Sequence, residues 1–199
     1  YLFQTVLPKV KHLENFDCDL KRNDITSSIF TAINQANFSA MPHLKKFKLD
    51  LSSGHFNEAD VEKLLLAVPN VKELFLGLGN VTITDKTLDD FSANVLPRLE
   101  KVQVLEIDFS STKITDASVQ KVMENLPISV SHLRVGLDFL KITDNSFECF
   151  VRNKLSSLKN LKLLKIDMKV TGVSQNLREQ ISKWNESYEK SSLKPLTNL

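Results

Sequence analysis

Six units that repeat one pattern constrain this chain more than any other feature does. Phe16, Phe47, Leu74, Leu105, Leu133 and Leu164 follow one another at intervals of 31, 27, 31, 28 and 31 residues. Around each anchor, the positions three before and two, four and nine after are apolar as well. They run from Leu13, Cys18, Leu20 and Ile25 in the first unit to Leu161, Ile166, Met168 and Val173 in the sixth. All thirty positions are apolar in a chain that is 42% hydrophobic, which chance does not produce. A period of this length marks a unit that cannot bury its apolar side alone and must stack on its neighbours.

Within a unit, the alternation around the anchor predicts a short half-buried strand. Ten residues after each anchor stands Thr26, Asn57, Thr84, Thr115, Thr143 or Ser174. All are residue types whose side-chain oxygen caps a helix N-terminus. Asp85, Asp116 and Asp144 follow three of these caps and suit the positive end of a helix dipole. Apolar positions fourteen and seventeen after the anchor share one helical face; only Arg178 breaks the first column, with Leu177 beside it as a substitute. Leu7-Pro8, Met41-Pro42, Val68-Pro69, Leu96-Pro97 and Leu126-Pro127 mark where the helices stop. Strand, turn and helix in alternation make an α/β chain with parallel strands and helices on one face.

These residues resemble the leucine-rich-repeat family, and the 27–31-residue unit with a full helix resembles its ribonuclease-inhibitor-like class. The resemblance implies one horseshoe-shaped solenoid over 1–190, with the parallel sheet on its concave face and helices on its convex face. Its units are 7–40, 41–68, 69–96, 97–126, 127–158 and 159–190, and 191–199 is a C-terminal tail. Val6-Leu7-Pro8 aligns with Val95-Leu96-Pro97, so the chain reads as part of a longer protein. Ser174 to about Tyr188, with Trp184, is expected to close the C-terminal end as a longer helix. The asparagine that the family repeats in the turn after the strand is not repeated here. Ser52, Ser53, Gly79, Asn80, Ser110 and Ser111 stand there, which predicts less regular turns.

Two columns then point away from the helices. One reads Asp17, Lys48, Phe75, Glu106, Arg134 and Lys165; the other reads Asp19, Asp50, Gly77, Asp108, Gly136 and Asp167. The aspartates have two readings: an acidic stripe that docks basic groups of a partner, or acceptors for backbone N–H groups in the adjoining turns. Phe75, in the unit of Gly77 and Gly79, is expected as an aromatic anchor in a shallow dip. The resulting expectation is a protein-interaction scaffold that binds another protein through Asp17, Asp19, Lys48, Asp50, Phe75, Glu106, Asp108, Arg134, Lys165 and Asp167. The alternative is an adaptor or regulatory module, of ubiquitin-ligase-receptor or GTPase-regulator type.

Composition narrows the remaining classes. Net charge is +2, so no strong overall field calls for nucleic acid, although 151–199 carries ten basic against four acidic residues. Arg152, Lys154, Lys159, Lys162, Lys165 and Lys169 lack stacking aromatics and read as a solvated basic face. No apolar run is long enough to span a membrane. Two cysteines, Cys18 and Cys149, in repeats four apart cannot form a disulfide and favour a reducing, cytoplasmic setting. The four histidines have no zinc-ligand spacing, Gly77-Leu78-Gly79 opens no phosphate loop, and no nucleophile–base set assembles. The sequence therefore predicts no enzyme activity, no metal, no cofactor and no small-molecule substrate.

Overall fold

The computed structural model describes residues 9–10, 12–23 and 27–192, with the side chains of 27–29 and 185–192 outside that description. Val6-Leu7-Pro8, Ile25, Thr26 and residues 193–199 lie outside the described residues. Six strands form one sheet in chain order, and every neighbouring pair is parallel. They are β1 (Asn15–Asp19), β2 (Lys46–Asp50), β3 (Glu73–Gly77), β4 (Val104–Asp108), β5 (His132–Gly136) and β6 (Leu163–Asp167). Between and after them run α1 (Ser27–Gln35), α2 (Glu58–Leu66), α3 (Asp85–Asn94), α4 (Asp116–Glu124), α5 (Leu155–Ser157) and α6 (Gln175–Ser192). Each strand is centred on the residue after its anchor. Phe16, Phe47, Leu74, Leu105, Leu133 and Leu164 lie side by side across the sheet.

Burial follows the repeat. Among the described core positions, the inner units are sealed, while Leu13, Cys18, Leu20 and Ile166 in the outer units are half-buried. This is the pattern of stacking, since an end unit has a neighbour on one side only. The helix columns close the same core: Phe30, Val61, Leu88, Val119 and Phe147 in one, Ile33, Leu64, Phe91, Val122, Phe150 and Ile181 in the other. Leu177 is buried where Arg178 breaks the column. Arg178 instead folds back on the last turn, its guanidinium donating to the carbonyls of Met168 (2.7 Å) and Val173 (3.2 Å) and to Thr171 Oγ1 (2.8 Å). These bonds tie the sixth helix to the turn that precedes it. Trp184 packs against the same core.

Two hydrogen-bond ladders join the units. The first follows the strands. In every unit the residue six after the anchor is left-handed: Arg22, Ser53, Asn80, Ser111, Phe139 and Val170 have φ between 54 and 60°. That kink points alternate N–H groups at the next unit, as in Leu51→Gly77 (2.8 Å) and Ser53→Gly79 (2.8 Å), and Leu137→Asp167 (2.7 Å) and Phe139→Lys169 (2.8 Å). The expectation of irregular turns is thus corrected: the backbone pairs with itself at every junction, and no asparagine is needed.

The second ladder joins the helix starts. Glu58 accepts from the N–H (2.8 Å) and hydroxyl (2.7 Å) of Thr84 and from the Thr87 hydroxyl (2.6 Å). Asp85 does the same for Thr115 and Ser118, and Asp116 for Thr143 and Ser146. Asp144 accepts from Ser174 N–H and hydroxyl. Asn57, Thr115 and Thr143 cap their helices as expected. Thr84 stands at its cap position and donates its hydroxyl to Glu58, but it makes no side-chain cap bond. The helix of the fifth unit departs from one regular α-helix. It is a 3₁₀ turn (Asp144–Phe147), a π segment (Phe150–Lys154) and then α5. No proline ends it, and the wider π turn keeps both Phe147 and Phe150 in the core.

Two outcomes follow for stability. Leu105→Ala or Ile107→Ala should cost about 2–5 kcal/mol in urea unfolding, since both are sealed between two neighbouring units. A neutral result at either position would remove it from the core. Glu58, Asp85 and Asp116 titrate below their ordinary range. For Glu58 the Thr87 and Thr84 hydroxyls are the main cause; for Asp85 and Asp116 burial pushes the other way but is outweighed by the hydroxyl and N–H donors. A carboxylate whose folded pKa is depressed stabilises fully above its unfolded value, about 4, and loses that contribution as pH falls through the folded value. Urea midpoints should therefore be level from pH 7 to about 5 and fall below about 4. Asp116→Ala should lower stability by about 2–3 kcal/mol at pH 7 and flatten the acid limb; an unchanged limb would contradict the ladder.

Candidate functional site

The strand register fixes the rows that the sequence places on the open face. Asp17, Lys48, Phe75, Glu106, Arg134 and Lys165 are lateral neighbours in one row, and Asp19, Asp50, Gly77, Asp108, Gly136 and Asp167 in the next. Period-2 alternation sends the anchor side chains into the helical layer and these to the other side. The structure thus brings together all ten residues singled out as a binding surface.

Their charges are largely matched within the chain. Lys48 pairs with Asp17 at 3.3 Å, and Arg134 reaches Asp167 at 3.1 Å and Glu106 at 4.0 Å. Lys165 adds a contact to Asp167 at 3.6 Å, and Lys21 pairs with Asp50 at 3.0 Å. The aspartates also clamp the turns that follow them: Asp19 accepts from Lys21 N–H (3.0 Å), Asp50 from Ser52 N–H (3.0 Å) and Asp108 from Ser110 N–H (2.9 Å) and hydroxyl (2.6 Å). Burial pushes the Asp50 carboxyl up, but Ser52 and Lys21 outweigh it and hold the group below the usual carboxylate range. Of the two readings of the aspartates, the geometry displays turn bonding directly.

Glycine shapes the middle of this face. A Cβ at Gly77 would overlap the Asp50 carboxylate, and one at Gly136 would overlap that of Asp108. Aspartate and glycine alternate across β2 to β5, so each carboxylate lies over the bare strand beside it. A depression of about 260 Å³ remains above the glycines, bordered by Phe75, Glu106, Asp108, Arg134, Asp138 and Asp167. Phe75 is half-buried, and the Lys46 ammonium sits 5.0 Å from its ring centroid, a cation–π contact that covers one face. The expected dip is therefore bordered mainly by charged side chains, with one partly covered aromatic.

Lys21, Lys46, Ser52, Ser110 and Asp138 belong to the site and were not singled out from sequence. For Ser52 and Ser110 a signal exists, a donor two residues after an aspartate, which is the spacing of an Asx turn. Lys46 and Lys21 reach in from neighbouring units, and nothing within their own units marks them.

Other chemistry has little to build on. Burial first, then Asp17 and Asp19, raises the Cys18 thiol; a hydrogen bond with Glu124 leads in raising Cys149. Both are free, and both are held as thiols. Among the described residues no cluster of three His, Cys, Asp or Glu could hold a metal ion. None of their helices is long and apolar enough to cross a membrane. No family model and no curated protein matches the chain.

The turn clamp has its own test. Asp108→Ala removes the acceptor for both Ser110 donors and should cost about 1–2 kcal/mol in thermal or urea unfolding, whereas Asp108→Asn keeps a carbonyl acceptor and should cost less than half as much. Equal losses would mean that charge, and not turn bonding, is what Asp108 supplies.

Proposed function

We propose that the chain is a leucine-rich-repeat module of the ribonuclease-inhibitor-like class, acting as a non-catalytic scaffold that docks another protein on the open face of its sheet. The observation that carries this reading is the glycine-floored depression, framed by two in-register rows of side chains. It is a place on the sheet where a partner's side chain could approach the strands. Its frame is fixed by ion pairs and turn bonds before any partner arrives, so little conformational freedom is lost on binding. Two free thiols suit the cytoplasmic setting that belongs to the same reading.

The surface is tested by placing a photo-crosslinking residue at position 75 and, separately, at exposed Lys63 on the helical side. The partner should be captured from position 75 and not from position 63. Against that partner, Asp50→Asn with Asp108→Asn should slow association and reduce its salt dependence. Phe75→Ala should speed dissociation, by about 1–3 kcal/mol in affinity. Affinity that survives all three changes but falls on altering Lys154, Lys159 or Trp184 would move the contact to the C-terminal end and refute the choice of face.

A further inference from the structure

At the opposite ends of the strands, where the chain enters the sheet, lies a second cleft of about 520 Å³. Lys72, Lys101, Lys162, Gln103, Ser131 and Glu100 wall it, and no apolar side chain does. The lysines come from the third, fourth and sixth units, so nothing in the linear sequence groups them. All three are exposed, and among the described residues none has an ion-pair partner. The same edge behaves differently in earlier units. Lys45 is tied to Glu14 at 2.9 Å, and Lys46 lies over Phe75. In the cleft, three ammonium groups without ion pairs thus face one carboxylate.

The cleft floor is fixed. Gln103 N–H donates to the Lys72 carbonyl (2.8 Å), Ser131 N–H to the Gln103 carbonyl (2.8 Å) and Lys162 N–H to the Ser131 carbonyl (2.7 Å). Lys101 is anchored from the side by its N–H on Asn70 Oδ1 (3.0 Å). Lys72 and Lys162 therefore stand three strand spacings apart, roughly 14 Å. Each four-carbon stem reaches about 6 Å, so both ammonium groups can turn inward over the small polar centre. The two ammonium groups can thus close to a few ångströms or stand apart, and with Lys101 the cleft offers three cations. An anion with charges distributed along it engages all three at once.

We propose that this cleft binds a small, multiply phosphorylated anion, with Lys72 and Lys162 holding its ends and Lys101 its flank. The walls exclude an apolar or cationic ligand, and Gln103 supplies an amide donor to the phosphate oxygens between the lysines. This site stands apart from the protein-docking face and does not depend on it.

Calorimetric titration of the purified chain with sodium tripolyphosphate tests the proposal, with orthophosphate as the single-charge comparison. Tripolyphosphate should bind one-to-one and at least tenfold tighter than orthophosphate. Lys72→Ala combined with Lys162→Ala should weaken it at least tenfold with the circular dichroism spectrum unchanged. Glu100→Gln should tighten it a few-fold, and Lys141→Ala, at the other end of the strands, should leave it as it was. Flotation with vesicles bearing phosphatidylinositol bisphosphate identifies the source. Flotation that tripolyphosphate competes away supports the site with its phosphates on a lipid headgroup; no flotation alongside soluble binding supports it with a free ligand. Absence of heat at millimolar tripolyphosphate would overturn the proposal. So would equal loss on Lys141→Ala, or a single-stranded oligonucleotide that binds more tightly and ignores the Lys72 and Lys162 changes.

Discussion

Carboxylate bridges between successive helix starts are the interaction on which the stacking depends. Glu58, Asp85 and Asp116 each satisfy three donors of the next unit at once, the cap residue's N–H, its hydroxyl and a second hydroxyl one turn later, and Asp144 satisfies the first two. A carboxylate has the lone pairs for this; an amide oxygen does not. The second hydroxyls, on Thr87, Ser118 and Ser146, are buried polar groups, so the bridge is also what allows them inside. The strand turns make a separate set of bonds at the other end of each junction. A unit gripped at both ends cannot slide by a residue, and this is why the strand register stays unbroken through intervals that alternate between 27–28 and 31 residues. The extra residues are taken up between helix and strand, where neither ladder runs.

The bridge also explains how the ends differ from the middle. It starts at Glu58, because Ser27 holds the equivalent position in the first unit. The sixth unit has Gln175 there, and Arg178 turns inward on the preceding turn instead of joining the apolar column. A charge in the apolar column is thus accommodated by acceptors of its own unit: three donors meet oxygens of Met168, Thr171 and Val173.

How much of this was legible depends on where each signal lives. Strand centres, helix starts and the two open-face rows could be read because they rest on the identity and spacing of residues within a unit. The bridges were only half legible. Thr115-Asp116-Ala117-Ser118 and its counterparts are plain in the sequence, but read within one helix they suggest a cap and a dipole partner, whereas the acid serves the next unit. Turn bonding by Asp50 and Asp108 was one of two legible readings, but their fit over bare strands was not, because the glycines that receive their carboxylates lie 27 and 28 residues onward. The cleft at the strand starts was not legible, since Lys72, Lys101 and Lys162 meet only once the units are stacked.

The left-handed turn shows which level of the hierarchy prevails when two conflict. Arg22, Ser53, Asn80, Ser111, Phe139 and Val170 share no side-chain property, and only Asn80 belongs to a type that favours positive φ. For Val170 the conformation is a steric outlier, costing about 1–2 kcal/mol, and its side chain gains nothing in return because it is 73% exposed. Phe139 is in the same position beside it, 59% exposed. The backbone of the fifth unit nonetheless donates from Phe139 to the Lys169 carbonyl, and Leu137 donates to Asp167 one step before. Forgoing the kink would leave such N–H groups unpaired at the junction, at a cost of about 1–3 kcal/mol each. At Phe139 two bonds outweigh one strained torsion, and at Val170 the same turn follows the Lys169 carbonyl that accepts from Phe139, so the turn goes with the junction and is tolerated by whatever residue occupies it. That asymmetry is why a chain without the repeated asparagine still closes every turn in the same way.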